Sequence, residues 1–215
     1  MILALTGYMG SGKTTVGRIV ADALGCPFAD LDELVVAREH SSVISSAVET
    51  RACERWPQPK SPGTIADIFA TKGEEYFRRA EEQALAAVLK KYAQGNLVLA
   101  LGGGTILSAS SRALLQRDTL CIWLDAPAEV LWSRISGDSS TALGMTGVVA
   151  GLTGVGAKIG AGMTGAITAR PLADADFATR LESRRPLYAE AAHVTIDTSG
   201  LSPEEISDEI IISCL

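Results

Sequence analysis

The segment Gly7-Tyr-Met-Gly-Ser-Gly12-Lys13-Thr14 constrains the fold of this chain more than any other. It matches G-x-x-x-x-G-K-[ST] in full, and its context agrees with that pattern. Before it runs the short apolar stretch from Ile2 to Thr6, which reads as a buried strand. After it, Thr14 to Leu24 places Val16, Ile19, Val20, Ala23 and Leu24 on one helical face, and Gly25 ends the helix. Glycines at this spacing let the backbone turn tightly and aim several N–H groups inward, while the helix N-terminus adds positive potential. Such a loop cradles phosphates. Gly10, Ser11, Gly12, Lys13, Thr14 and Thr15 are the residues expected on a nucleotide, with Lys13 reaching the β- and γ-phosphates and the Thr14 hydroxyl on Mg²⁺. ATP and Mg²⁺ are therefore the expected co-substrate and cofactor. No Asn-Lys-x-Asp segment for reading guanine is present, which argues against a GTPase switch.

Strand and helix patterns alternate along the rest of the chain. Further strands are expected at Pro27 to Leu31, Asn96 to Leu101, Thr119 to Leu124 and Val194 to Ile196. Helices are expected from Glu33, over Thr64 to Ala70, Gly73 to Tyr92, Ser108 to Gln116, Pro127 to about Ile135, Leu172 to Ala192 and Pro203 to Ile212. This order predicts an α/β fold of the P-loop NTPase type, with three layers (α/β/α) and a five-stranded parallel sheet. Ligands in such folds sit at the carboxyl ends of the strands, and the polar clusters fall there.

One domain is expected over residues 1–215, interrupted twice. Residues 40–63 are rich in serine and proline and read as an irregular insertion. Residues 137–170 form an extended glycine-rich lid, with 19 uncharged residues from Ser139 to Ala157. Five glycines and five Ser/Thr dilute that stretch too far for a membrane span, so a surface loop is expected. The formal net charge is −6 and no long basic run occurs, which argues against a nucleic-acid partner. The cysteines, Cys26, Cys53, Cys121 and Cys214, have no metal-like spacing and read as thiols of a reducing compartment. The N-terminus lacks a signal-peptide pattern, so a cytoplasmic monomer without a membrane partner is expected.

The acceptor side is written in carboxylates, arginines and glycines. Asp30 and Asp32 stand two apart at a strand end, so one can hold Mg²⁺ through water and the other can take the proton of an acceptor hydroxyl. Two carboxylates here can also simply cap a helix. Arg78 and Arg79 follow Phe77 on a helix, and Glu81 at i+3 can hold Arg78 in one rotamer. An arginine fork suits a carboxylate-bearing substrate. Gly102-Gly103-Gly104 after a strand lets backbone N–H groups approach a ligand closely. Arg170 precedes Pro171 at the end of the lid, and Arg184 and Arg185 lie on the next helix.

Together, GYMGSGKTT from Gly7, Asp30-Leu-Asp32, IADIFATKGEEYFRRAEE from Ile65 to Glu82, Gly102 to Gly104, Arg170-Pro-Leu172 and Arg184-Arg-Pro-Leu-Tyr188 closely resemble shikimate kinase across almost the whole chain. The resemblance implies ATP-dependent phosphorylation of the 3-hydroxyl of shikimate, giving 3-phosphoshikimate and ADP. It implies Asp32 as hydroxyl ligand and base, Asp30 as the carboxylate on Mg²⁺ through water, and Arg78 and Arg184 as a clamp on the shikimate carboxylate. It implies Gly102, Gly103 and Gly104 beside the ring, Arg170 as a catalytic lid arginine at the transferring phosphate, and Arg134 on adenine. Residues 197–203 resemble the family's adenine-side loop. The chain departs from the family pattern in the 40–63 insertion and in a lid that sets Arg170 36 positions beyond Arg134. Another small P-loop kinase, such as a gluconate kinase, and a catalytically silent nucleotide-binding module are the alternatives.

Overall fold

Side chains alternate across a strand, and β1 (Ile2–Thr6) is buried at every position, so it must be covered on both faces. The computed structural model, which describes residues 1–40, 65–136 and 174–213, shows what covers it. Ile2 and Ala4 belong to one apolar cluster and Leu3 and Leu5 to the other. Leu3 and Leu5 pack with Val16 and Val20 of α1 (Lys13–Leu24) and with Ile206 and Ile210 of α7 (Pro203–Ser213). The opposite face packs under α3 (Ile65–Lys91), α4 (Ala109–Asp118) and α6 (Asp174–Ala191) through Phe77, Leu85, Leu115 and Tyr188. Each such fully buried aliphatic side chain contributes about 1.5–3 kcal/mol over an exposed one.

Among the described residues the remaining strands are β2 (Phe28–Asp30), β3 (Leu97–Ala100), β4 (Leu120–Asp125) and β5 (Val194–Asp197). All pairings are parallel, in the order β2-β3-β1-β4-β5, so the expected three-layer fold is present. β1 is central: Leu5 stands beside Ala100 on one side and Ile122 on the other. The loop after β1 and the turn after β3 therefore emerge side by side. The last two helices of the described residues, α2 (Leu31–His40) and α5 (Ala128–Ser136), flank this end of the sheet.

Two local findings refine the sequence reading. The helices expected over Thr64 to Ala70 and Gly73 to Tyr92 run on as one element, α3, broken at Gly73 with φ 82° and ψ 169°. Only glycine adopts such an angle without strain, so the boundary is a kink rather than a loop. A 3₁₀ turn, Thr105–Leu107, follows the triple glycine and had no periodic signal in so short a span. Both expected interruptions, 40–63 and the lid over 137–170, lie outside the described residues apart from His40, which ends α2. No helix of the described residues is long and apolar enough to cross a membrane.

Candidate functional site

The loop between β1 and α1 takes the shape that its glycines allow. Gly10 and Gly12 hold φ of 83° and 86°, the left-handed region that an L side chain enters only at a cost. A Cβ on Gly10 would also meet the Leu131 carbonyl oxygen at 2.6 Å, so α5 packs directly on the loop there. Lys13 Nζ donates to the carbonyl oxygens of Gly7 (2.8 Å) and Tyr8 (2.9 Å) and to Ser11 Oγ (3.3 Å). Ser11 is fully buried, while Gly12 and Thr15 are exposed.

Desolvation lowers the Lys13 ammonium from 10.5 to about 8, against the opposing pull of Asp32 and Asp30. The folded protein therefore holds fewer protons than the unfolded chain between pH 8 and 10.5, and this group makes nucleotide-free stability rise with pH over that window. Phosphates beside the ammonium favour its charged form. At pH 8.5, ATP binding should then take up a proton, read by titration calorimetry in buffers of different ionisation heat. Lys13→Met should remove that uptake.

Asp30 engages both of its carboxylate oxygens. Its Oδ1 accepts the Asp32 N–H at 3.0 Å and so caps the start of α2. Its Oδ2 accepts the Thr14 hydroxyl at 2.8 Å. This pair of hard oxygen donors at the first turn of α1 suits Mg²⁺, which takes one or two protein oxygens and keeps waters. Asp32, the second residue of α2, stands against the glycine turn. A Cβ on Gly102 would lie 2.5 Å from Asp32 Oδ1 and 2.6 Å from Glu81 Oε1. Gly102→Ala must displace both carboxylates, so a loss of about 1–3 kcal/mol in chemical denaturation and a failure to bind acceptor are expected.

The arginines separate into two that face the crevice and two that do not. Arg78 Nη1 donates to Glu81 Oε2 at 2.8 Å and Nη2 to Glu74 Oε1 at 3.2 Å, and its guanidinium lies against Gly104. Glu81 is the anchor, at 2% exposure, as its i+3 spacing suggested. Among the described residues, Arg78 Nε is buried without a hydrogen-bond partner. Arg184 Nη1 donates to the Gly103 carbonyl at 3.2 Å, and its guanidinium sits 5.4 Å from the Tyr8 ring centroid. Arg79 instead pairs with Glu75 in solvent, and Arg185 with Asp125 and Glu182.

Arg134, on α5, donates to Thr198 Oγ1 (3.1 Å) and to the Thr198 carbonyl (2.6 Å), tying the segment after β5 to α5. Burial lowers its pKa and Asp197 opposes that shift. Arg170 lies outside the described residues. Sequence reasoning missed Tyr188 and Thr105. The buried Tyr188 hydroxyl donates to the Gly103 carbonyl at 2.8 Å, and burial pushes its pKa up. Thr105 Oγ1 donates to Glu81 Oε1 at 2.6 Å. Neither position has a charge or a spacing that marks it in one dimension.

A phosphate cradle, a crevice carboxylate and two arginines braced against one glycine turn form a site for a nucleotide and a small anionic acceptor. The chain is similar to known proteins. The shikimate kinase family model matches residues 9–55 and 58–147. A shikimate kinase from Symbiobacterium thermophilum is 36% identical over 98% of this chain and 94% of its own length. One from Rhodopirellula baltica is 32% identical over 97% and 88%. Among solved structures, shikimate kinase from Acinetobacter baumannii in complex with shikimate is 27% identical with a TM-score of 0.69, over 99% of this chain and 92% of that one. The enzyme from Aquifex aeolicus is 26% identical with a TM-score of 0.65, over 100% and 96%.

Proposed function

The chain belongs to the shikimate kinase family, and from that premise we infer that it transfers the γ-phosphoryl group of ATP to the 3-hydroxyl of shikimate, giving 3-phosphoshikimate and ADP. The observation that carries the reading is the pair of arginines, Arg78 and Arg184, held against Gly104 and Gly103 at the mouth of a complete ATP cradle. Two guanidinium forks on one turn match one carboxylate on a compact ring.

The roles we assign are these. Arg78 and Arg184 hold the substrate carboxylate, with the backbone of Gly102, Gly103 and Gly104 along the ring. Asp32 accepts the proton of the 3-hydroxyl as that oxygen bonds to the γ-phosphorus and the bond to the ADP oxygen breaks. Lys13 and the N–H groups of Gly10, Ser11, Gly12, Thr14 and Thr15 neutralise charge on the phosphates. Thr14 and, through water, Asp30 would hold Mg²⁺, which would supply positive charge against the phosphates. Arg134 lies along adenine, and Arg170, outside the described residues, is assigned to the transferring phosphate.

We also assign the chain to one cytoplasmic, monomeric domain over residues 1–215, with the two interruptions as insertions in it. An ADP-release assay with shikimate, gluconate and no acceptor tests the acceptor assignment. Release that depends on shikimate alone is expected. Equal release in all three arms would sink it.

A further inference from the structure

Arg78 is positioned by Glu81, and Glu81 is itself positioned by something. Its carboxylate is almost wholly buried and its two oxygens do different work. Oε2 accepts Arg78 Nη1, while Oε1 accepts the Thr105 hydroxyl at 2.6 Å. Thr105 is equally buried, at 2% exposure, and its backbone N–H donates to the Gly102 carbonyl at 3.1 Å, closing the glycine turn. One residue thus ties the turn that borders the substrate to the anchor of the arginine that grips it.

The oxygen that Thr105 caps is also the one that faces the base. Glu81 Oε1 and Asp32 Oδ1 both crowd the position of a Cβ on Gly102, so two carboxylates approach each other across that glycine. A hydroxyl proton on Oε1 offsets their repulsion. It also occupies lone pairs that an arginine fork takes readily, since carboxylate and guanidinium prefer a bidentate pairing.

We infer that Thr105 is a positioning residue for the acceptor. Its hydroxyl keeps Arg78 bound to Glu81 through one oxygen only, so that the guanidinium, whose Nη2 donates to the exposed Glu74 carboxylate at 3.2 Å, keeps its place against Gly104 beside the substrate carboxylate. This rests on the reading of Arg78 as a substrate ligand. Without the hydroxyl, Oε1 is a buried acceptor that lacks this donor, and Arg78 rotates to supply it, turning away from the substrate.

Thr105→Val keeps the shape and removes the donor. It should raise both KM and Kd for shikimate about tenfold, the worth of one hydrogen bond to a charged group, with kcat and the KM for ATP within about twofold of wild type. Thr105→Ser should restore wild-type values, and Thr105→Ala serves if the valine variant does not fold. In an Arg78→Ala background the Thr105→Val effect should vanish. An unchanged shikimate KM in Thr105→Val, equal changes in both KM values, or an effect that persists fully without Arg78 would overturn the inference. Calorimetric titration of wild-type protein with shikimate separates this from the broader reading, because a wrong acceptor gives no binding in any variant.

Discussion

Lys13→Met lowers turnover by about 10²–10³-fold at saturating ATP and shikimate, the usual loss when one preorganised charge leaves a transition state. Lys13 Nζ is the hub of the cradle, bonded to two loop carbonyls and the Ser11 hydroxyl, with the carboxylates of Asp30 and Asp32 in its field. Methionine keeps the stem and removes the charge. The KM for shikimate stays within about threefold, because the acceptor contacts lie on the glycine turn, α2, α3 and α6 rather than on the loop. Stability at pH 7 falls little. The depressed pKa means that burying this ammonium opposes folding below pH 8, and that cost disappears with the charge as the loop hydrogen bonds are lost. Steady-state kinetics in both substrates, with thermal unfolding of each protein, checks all three statements.

Arg78→Ala produces two effects that a second substitution pulls apart. The first is on binding: the KM for shikimate rises about 10²-fold while that for ATP moves less than about twofold, since a bidentate contact to a carboxylate is worth a few kcal/mol. The second is on folding. Glu81, with its side chain 3% exposed, loses its cation and keeps the Thr105 hydroxyl. Breaking a buried pair from one side costs about 3–5 kcal/mol, toward the lower end here because Arg78 is 25% exposed. Adding Glu81→Gln to Arg78→Ala removes the unpaired charge. Chemical denaturation should then recover most of the stability, whereas the shikimate KM should stay high. Arg78→Lys keeps the charge and loses the fork, so it should recover stability better than binding.

The site was legible where chemistry is local in sequence. The cradle from Gly7 to Thr14 announces itself because spacing, lysine and strand–helix context fall within a few residues, and the i+3 relation of Glu81 to Arg78 is a helical neighbour that can be counted. The parallel sheet followed from the alternation of apolar strands and amphipathic helices, confirmed in the register of β1 with β3 and β4. Contacts between distant segments were not legible. Tyr188 meets Gly103 across 85 positions and Thr105 meets Glu81 across 24. Neither contact can be read until the chain is folded. The sequence also left Asp30 between two roles, helix cap and metal carboxylate. The structure shows the cap, with Oδ1 on the Asp32 N–H, while Oδ2 accepts the Thr14 hydroxyl. Arg78 and Arg79 look alike in the sequence. Helical geometry turns neighbours about 100° apart, so one faces Gly104 and the other solvent.

The central claim is a phosphoryl transfer to one hydroxyl of one acid. Phosphorus-31 NMR of the pure protein with Mg²⁺, ATP and shikimate tests it most directly. The account predicts a single new phosphate-monoester signal, coupled to the proton on C3 of shikimate and growing one-for-one with ADP. Growth of inorganic phosphate in place of that signal, or ADP formation at the same rate without shikimate, would contradict it.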